Sequence, residues 1–290
     1  RADRLSRGLG DVYKRQSQRV LNFIPSVQKY HFLPPSPGTM AVYNEAESLQ
    51  TLITLLEEVE GTRVTLIGDV MLDRYHHGYA NNLNSTAPVP ALRVIYSEES
   101  PGAAAHIARG LSSLGLSVDL HSSVGDDNEG KCIINTLRKD GIDTSGIIEV
   151  EGRNTLTKIR FYGSRENLLD QEQILLQADR GPLDELDPNI SESLTKASLE
   201  SLSESQALVI SDYNKGVITE EGSEALISAA KSLGIPCIVD PKLTGLSRSK
   251  GADIVIFGIR GLELQNKRLM TSSLDKAATH LIDTYDWGAL

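Results

Sequence analysis

Short apolar strands that alternate with amphipathic helices constrain the fold of this chain more than any other feature. The strand-like runs are rich in β-branched residues, whereas the helical segments repeat apolar residues with a helical period. Such alternation predicts an α/β fold with a mostly parallel, doubly wound sheet that helices cover on both faces. The predicted strands are Val64–Gly68, Val118–Ser122, Ala207–Ser211, Pro236–Asp240 and Asp253–Phe257, and the predicted helices are Gly102–Leu114, Asn128–Lys139, Ser191–Leu202 and Thr219–Leu233.

The first 39 residues differ from the rest of the chain. They carry a net charge of +5, whereas residues 40–290 carry −15. They show no apolar period, and residues 34–38 form a cluster of helix-breaking residues. We predict that residues 1–39 are disordered or artefactual sequence and that the domain spans 40–290, with Met40 as the natural start. The alternative is a targeting peptide, because the segment is rich in arginine and poor in acids. After it, Asn44 is predicted to cap a helix that ends before Gly61.

The composition of the chain argues against several classes of function. A net charge of −10 over 290 residues argues against a nucleic-acid binder and against an anionic-membrane binder. No apolar run approaches the length of a membrane span. The two cysteines, Cys132 and Cys237, are too few for a disulfide framework, so we predict two buried thiols in a cytoplasmic protein.

Polar residues follow the first predicted strand, and small residues open the helix after it. Asp69 and Asp73 come after Val64–Gly68, and Gly102 stands at the head of an alanine run. Ligands bind at the carboxyl ends of strands in open α/β sheets, where these carboxylates can accept hydrogen bonds from a hydroxylated ligand. A small residue lets the backbone approach that ligand closely. The pattern suggests a sugar pocket, although Asp69 could equally cap a turn and Asp73 could be solvated.

Seven short motifs extend this pattern along the chain. In their order over roughly residues 60–290, they resemble the ribokinase-type (PfkB) carbohydrate kinases. Within that family they look most like the heptose-7-phosphate kinase domain of the bacterial ADP-heptose pathway. The motifs are Gly68–Tyr75, Ala87–Pro90, Pro101–Ala108, Val124–Asp127, Gly141–Gly146, Ser211–Gly216 and Val239–Lys242.

The resemblance implies a fold and an activity. It implies a ribokinase-like doubly wound sheet with a small β-sheet lid over the sugar, and the lid strands would lie near 78–97 and 154–179. On sequence alone, these segments could equally be an antiparallel edge of the main sheet. The implied activity is ATP-dependent phosphoryl transfer, with Mg²⁺, to a hydroxyl of a sugar or sugar phosphate. A homodimer formed through the lid is also implied.

A phosphorylated sugar would also need cations, and strand spacing offers two. Lys158 and Arg160 alternate on one predicted lid strand, so both would point to one face as a phosphate clamp, with Arg153 and Arg180 nearby in sequence; a solvated face is the alternative. The predicted substrate-binding residues are Asp69, Asp73, Gly102, His106, Lys158 and Arg160. The resemblance implies that Asp212, Lys215 and Lys242 border the nucleotide and phosphate region.

Several positions depart from the family pattern. His106 stands where the family has Asn in a Gly-Gly-Ala-Ala-Asn motif, and residues 82–86 lack the Arg and Glu of the heptose kinases. Gly258 and Gly261 replace an Asn and a Glu that organise the metal–phosphate network in the family. These departures leave the sugar open. They also leave open a second interpretation, in which the chain is a degenerate, non-catalytic sugar-binding member.

Residues 1–290 also lack the motif that carries the catalytic base of the family. The resemblance implies an aspartate in a Gly-Ala-Gly-Asp motif, and no Gly-x-Gly-Asp occurs in residues 1–290. We therefore expect the base to lie beyond Leu290 and the chain to be an incomplete kinase domain, truncated at its C-terminus. No metal ligand is predicted within residues 1–290.

Overall fold

Two β-sheets organise the chain. The computed structural model describes residues 45–164, 172–182 and 184–290, with the side chains of residues 45–48 excepted. The predictions for residues 1–39 and for Asn44 therefore lie outside the described residues. The main sheet contains β1 (Arg63–Gly68), β4 (Ser117–Gly125), β5 (Ile147–Val150), β8 (Ala207–Asp212), β9 (Cys237–Pro241) and β10 (Ile254–Val255); the second contains β2 (Val70–Leu83), β3 (Pro90–Ala103), β6 (Thr157–Ser164) and β7 (Gln173–Arg180).

Seven α-helices connect or flank these strands in the described residues. The predicted helix before Gly61 is confirmed as α1. None of the helices in this part of the chain is both long and apolar enough to span a membrane. The helices are α1 (Glu45–Val59), α2 (Ala104–Ser113), α3 (Asn128–Lys139), α4 (Pro188–Leu202), α5 (Glu220–Leu233), α6 (Ile259–Leu269) and α7 (Leu274–Tyr285).

The main sheet is parallel and doubly wound, as the alternation of elements predicts. Its strand order is β10-β9-β8-β1-β4-β5, and every pairing between neighbours is parallel. Consecutive residues of β1 face opposite sides. Leu66 packs into a core cluster with α2 and α3, whereas Ile67 packs into a second cluster with α4 and α5. Beyond β10, Ala289 pairs in parallel with Ile254.

Helix ends follow the capping residues of the sequence. Asp127 precedes α3, and its side chain accepts a hydrogen bond from the backbone N–H of Gly130. Thr219 caps α5 in the same way through Gly222, and Gly234 ends that helix in the left-handed conformation that glycine adopts without strain. These caps fix where each helix meets the sheet.

The second sheet is separate from the main sheet and is called the lid below (β2, β3, β6 and β7). Its order is β3-β2-β6-β7, with β2 antiparallel to β3, β2 parallel to β6, and β6 antiparallel to β7. The alternative prediction of an antiparallel edge on the main sheet is therefore wrong. The two sheets stay separate because β2 pairs with β3 and β6, whereas β1 pairs with β4 and β8.

Three details differ from the sequence-based expectation. The acidic turn after β1 is short: β2 begins at Val70, so Asp73 lies within a strand and not in a turn. The last predicted strand shrinks to two residues, and α6 and α7 follow it. Cys237 is buried as predicted, whereas Cys132 is only partly buried and its Sγ donates to Glu99 at 3.3 Å.

Candidate active site

Asp69 joins two loops at the carboxyl ends of β1 and β8. Its carboxylate accepts hydrogen bonds from the backbone N–H groups of Tyr213 at 2.9 Å, Lys215 at 3.1 Å and Val217 at 3.3 Å. Burial, and secondarily the nearby Asp212 carboxylate, raise the pKa of Asp69 to about 6 against the lowering effect of these three donors. Most of the hydrogen-bonding capacity of Asp69 is thus used within the protein.

Asp73 lies on the lid, four residues further on, in a more open environment. Its Oδ1 accepts a hydrogen bond from Arg160 Nη1 at 2.6 Å, and the guanidinium of Arg160 lies 5.3 Å from the ring centre of Tyr75. The Asp73 side chain keeps 17% of its surface exposed. A carboxylate in this position retains lone pairs that can accept from a ligand hydroxyl.

Gly102 borders the same carboxylate. It lies on β3 opposite Met71, and a Cβ at Gly102 would overlap Asp73 Oδ2. Asp73 and Gly102 therefore lie side by side on the lid. The following residue, Ala103, has φ of 53° and ψ of −128°, a conformation that favours glycine.

Tyr213 lies between the lid and the main sheet. Lys242 Nζ sits 4.0 Å from the centre of its ring. Burial raises the pKa of Tyr213, and the carboxylates of Asp240 and Asp73 raise it further. Because Asp73 belongs to the lid and Asp240 to β9, Tyr213 marks the place where the two halves of the site approach. The sequence analysis did not select Tyr213 as a site residue, although its position directly after Ser211-Asp212, at the end of a predicted strand, could have indicated it.

Both carboxylate oxygens of Asp212, at the end of β8, accept hydrogen bonds. Its Oδ2 accepts from Arg248 Nε at 2.6 Å, and its Oδ1 accepts from the backbone N–H of Asn214 at 2.7 Å. Arg248 also donates to the Asn214 side chain at 2.7 Å. Sequence reasoning missed Arg248, which lies far from the motif in sequence. Lys215 is exposed on the same loop.

Lys158 and Arg160 lie on β6, one on each side of Ile159. In the strand register Lys158 stands beside Asp73 and Arg160 beside Tyr75, so the four side chains share one face of the lid. Lys158 Nζ lies 3.8 Å from Asp179 Oδ2. This face carries the cations that the sequence predicts for a phosphate clamp.

The remaining predicted residues lie elsewhere. The Arg153 side chain donates to the backbone carbonyls of residues 184 and 185, and Arg180 donates to Glu129 on the opposite side of the lid. His106 is exposed in the first turn of α2, and its side chain makes no hydrogen bond within the described part of the chain. Gly258 precedes α6, where it offers no side chain to a nucleotide.

Comparison with solved structures identifies the class of this fold. The structure resembles the tetrameric inhibited form of phosphofructokinase-2 from Escherichia coli, with a TM-score of 0.58 and 21% identity over 78% of this chain and 71% of that chain. It also resembles a ribokinase from Arabidopsis thaliana solved with ribose and ATP, with a TM-score of 0.55 and 14% identity over 77% of this chain and 69% of that one. These similarities establish a ribokinase-like fold.

The family follows from sequence. The model of the pfkB family of carbohydrate kinases matches residues 62–284, so the chain belongs to this family. The bifunctional protein HldE of Magnetococcus marinus is 34% identical over 209 residues, which cover 69% of this chain and 42% of that protein. HldE of Coxiella burnetii is 34% identical over 235 residues, covering 80% and 46%. The chain thus spans less than half the length of these relatives.

Proposed function

We propose that this chain is the kinase part of an enzyme that transfers a phosphoryl group from ATP to a hydroxyl of a sugar phosphate. Heptose 7-phosphate is the first acceptor to test, because the sequence motifs resemble the heptose-7-phosphate kinase domain of the bacterial ADP-heptose pathway and the relatives at 34% identity are HldE proteins. The observation that supports the proposal best is Asp73, a partly exposed carboxylate held by Arg160 beside Gly102 and facing the Tyr213 loop.

Residues of the lid would bind the sugar phosphate, and residues of the main-sheet side would bind the nucleotide. Asp73 would accept a hydrogen bond from an acceptor hydroxyl, and Arg160 fixes its orientation. Lys158, on the same face, would bind the phosphate already carried by the sugar. On the main-sheet side, Lys242 and Lys215 would neutralise nucleotide phosphates. This arrangement positions the reactants and screens their charge.

Mg²⁺ fits the main-sheet side as a companion of the nucleotide. No three metal-ligating side chains come together within the described ranges. Asp240 has a half-buried carboxylate without a hydrogen bond or ion pair in this part of the chain. Since Mg²⁺ commonly binds through one or two carboxylates plus substrate phosphates, Asp240 is the residue that would hold it. When bound, Mg²⁺–ATP supplies the phosphoryl group.

A second function, sugar binding without catalysis, is favoured by Gly258 and Gly261. These glycines stand at the start of α6, where the family pattern has an Asn and a Glu. Without those polar side chains, the nucleotide side has fewer groups to organise the metal and the phosphates. In this case the lid would still bind the sugar.

Calorimetric titration and a coupled kinase assay on the full 290-residue chain distinguish the two functions. The probes are heptose 7-phosphate, fructose 6-phosphate and an ATP analogue. Asp73→Asn should weaken sugar-phosphate binding by about 10- to 100-fold, because hydrogen bonds to charged groups contribute about 1.5–3 kcal/mol. Asp283→Asn, an exposed change on α7, is the matched control and should bind like the wild type.

Each outcome of these experiments has one meaning. Binding of both the sugar phosphate and the ATP analogue supports the kinase, whereas sugar binding without nucleotide binding supports the second function. Turnover would add to the support for the kinase, but the distinction does not require it, because residues 1–290 contain no Gly-x-Gly-Asp motif. Absence of binding to either sugar phosphate, or equal binding by Asp73→Asn, would contradict the proposed site.

We also propose that the lid forms a homodimer interface. Its edge strands β3 and β7 expose apolar side chains that a sheet edge normally avoids. Replacement of Leu176 by Lys should shift the mass measured by light scattering from dimer to monomer, and a wild-type monomer at micromolar concentration would contradict the interface. The exposed apolar residues are Val94, Ile95, Tyr96, Ile174, Leu175 and Leu176.

A further inference from the structure

The side of the lid that faces away from Asp73 is bound to helix α3 by ion pairs. Glu129, the second residue of α3, has a side chain that is only 10% exposed. Its Oε1 accepts hydrogen bonds from Arg74 Nη2 and from Arg180 Nη1, both at 3.1 Å. Arg74 belongs to β2 and Arg180 ends β7, so a single carboxylate holds two strands of the lid.

The start of α3 makes a second connection to the lid. Asp127, which caps α3, accepts from the backbone N–H of Thr155 at 2.9 Å and from Thr155 Oγ1 at 2.6 Å. Thr155 lies two residues before β6. Arg74 also pairs with Glu99 at 2.6 Å, which joins β2 to β3 on the same side. The contacts thus reach the strands that carry the candidate sugar-binding residues.

Strand geometry connects this cluster to the site. Asp73 and Arg74 are consecutive on β2, so their side chains point to opposite faces of the lid. Arg180 stands opposite Thr157 in the register, next to Lys158. A change in the position of Arg74 or Arg180 relative to α3 would therefore displace Asp73 and Lys158 on the other face.

We propose that Glu129 is a positioning residue that holds the lid against α3 so that Asp73 and Arg160 face the Tyr213 loop. This inference rests on the proposed function for its effect on sugar binding, but its effect on the lid does not depend on any ligand. Removing the charge of Glu129, whose side chain is largely buried, would leave the guanidiniums of Arg74 and Arg180 with one fewer anionic partner. The lid would then sample other positions.

The test combines hydrogen exchange of the ligand-free full chain with titration of heptose 7-phosphate and of an ATP analogue. Glu129→Gln should raise amide exchange in β2 and β6 by about tenfold, the factor expected for a loss of about 1.4 kcal/mol in local stability, while β1 and β8 stay unchanged. Sugar-phosphate affinity should fall by a similar factor with nucleotide affinity unchanged. Glu129→Asp, which keeps the charge, should give intermediate values.

Two further variants keep the test decisive. Arg180→Gln alters a half-exposed partner, so it should fold even if Glu129→Gln does not, and it should raise exchange in the same strands by a smaller factor. Glu149→Gln, an exposed change on β5, should alter neither quantity. Unchanged lid exchange in Glu129→Gln and Arg180→Gln would overturn the inference. Raised lid exchange in a protein whose wild type binds no sugar would instead reject the proposed function and leave the positioning role standing.

Discussion

The main sheet and the lid both present a carboxylate–arginine pair to the site, at the same distance but in different surroundings. Arg248 Nε lies 2.6 Å from Asp212 Oδ2, and Arg160 Nη1 lies 2.6 Å from Asp73 Oδ1. The Asp212 side chain is 1% exposed, whereas the Asp73 side chain is 17% exposed. Asp212 also accepts a backbone N–H, but Asp73 has no acceptor role other than toward Arg160 among the described residues.

This contrast separates residues that shape the site from residues that can bind a ligand. A buried carboxylate whose two oxygens both accept hydrogen bonds from protein donors fixes the loops around it, and Asp69 and Asp212 belong to this kind. A partly exposed carboxylate with unused lone pairs is available to a hydroxyl, and Asp73 belongs to that kind. Four predictions test this division, from the largest expected effect to the smallest.

The buried pair Asp212–Arg248 should contribute far more to the free energy of unfolding than the more exposed pair Asp73–Arg160. Arg248→Met leaves the buried Asp212 charge uncompensated, which should lower the free energy of unfolding by about 3–5 kcal/mol. Arg160→Met should cost about 1 kcal/mol, because solvent screens the more exposed pair. Urea denaturation of both variants measures the difference. Equal losses would remove the distinction between the two regions.

Asp69→Asn should be the next most damaging change, and its effect should depend on pH. The asparagine amide would direct N–H donors at backbone N–H groups, and a buried unsatisfied donor costs about 1–3 kcal/mol. The pKa of Asp69 rises from its ordinary value of 3.8 to about 6 in the folded chain. The folded state therefore binds the proton more tightly than the unfolded state, which adds stability below pH 4 that is lost as the pH rises through 6.

The sign of that pH dependence gives a sharp measurement. The stability difference between wild type and Asp69→Asn should be larger at pH 4.5 than at pH 7.5, by about 2 kcal/mol, since each unit of pKa shift corresponds to 1.36 kcal/mol. Denaturation curves at the two pH values provide the difference. A constant difference would show that Asp69 has an ordinary pKa and is not the buried carboxyl described above.

Gly102→Ala should disturb the lid side of the site. The added Cβ would overlap the Asp73 carboxylate and lie 3.2 Å from Met71 Cγ, so Asp73 must move. We expect a stability loss of about 1–3 kcal/mol, typical of overpacking, together with weaker sugar-phosphate binding. Gly110→Ala on α2, where a Cβ meets nothing within 4 Å, is the control and should gain about 0.5–1 kcal/mol. Normal sugar binding by Gly102→Ala would separate Gly102 from the pocket.

The sequence was sufficient for the architecture because periodicity reports local structure and burial. The doubly wound sheet and its covering helices are confirmed, and so is a second sheet. The start of β2 was missed because Gly68-Asp69 is typical of a turn, while the pairing of residues 70–77 with β3 is non-local. Helices α6 and α7, which follow β10, were not predicted from the sequence.

The site was predictable only at the level of residue types. Local motifs single out Asp69 and Asp73 alike, and nothing in the sequence shows that one is enclosed by three backbone donors and the other is not. Arg248 reaches Asp212 across 36 residues of chain, a contact without a local signal. Partners that come together only in the tertiary structure decide which carboxylates remain available.

Ala103→Gly should have the smallest effect and the opposite sign. Ala103 joins the two regions: it lies next to Gly102, which borders Asp73, and the N–H of Ala104 donates to the Asp69 carbonyl at 3.0 Å. Its φ of 53° and ψ of −128° strain a residue that has a Cβ. Strain of this kind costs about 1–3 kcal/mol, against about 0.5–1 kcal/mol for the greater flexibility of glycine.

The net gain should therefore be about 1 kcal/mol, measured by thermal and urea unfolding. Ala105→Gly, in the buried first turn of α2, is the matched control and should lose about 1 kcal/mol. A loss in both variants would show that Ala103 carries no strain. If Ala103→Gly gains stability without a change in sugar binding, the strain lies on the side of the loops that Asp69 fixes. If it gains stability and binds sugar more tightly, the strain lies on the side of Asp73.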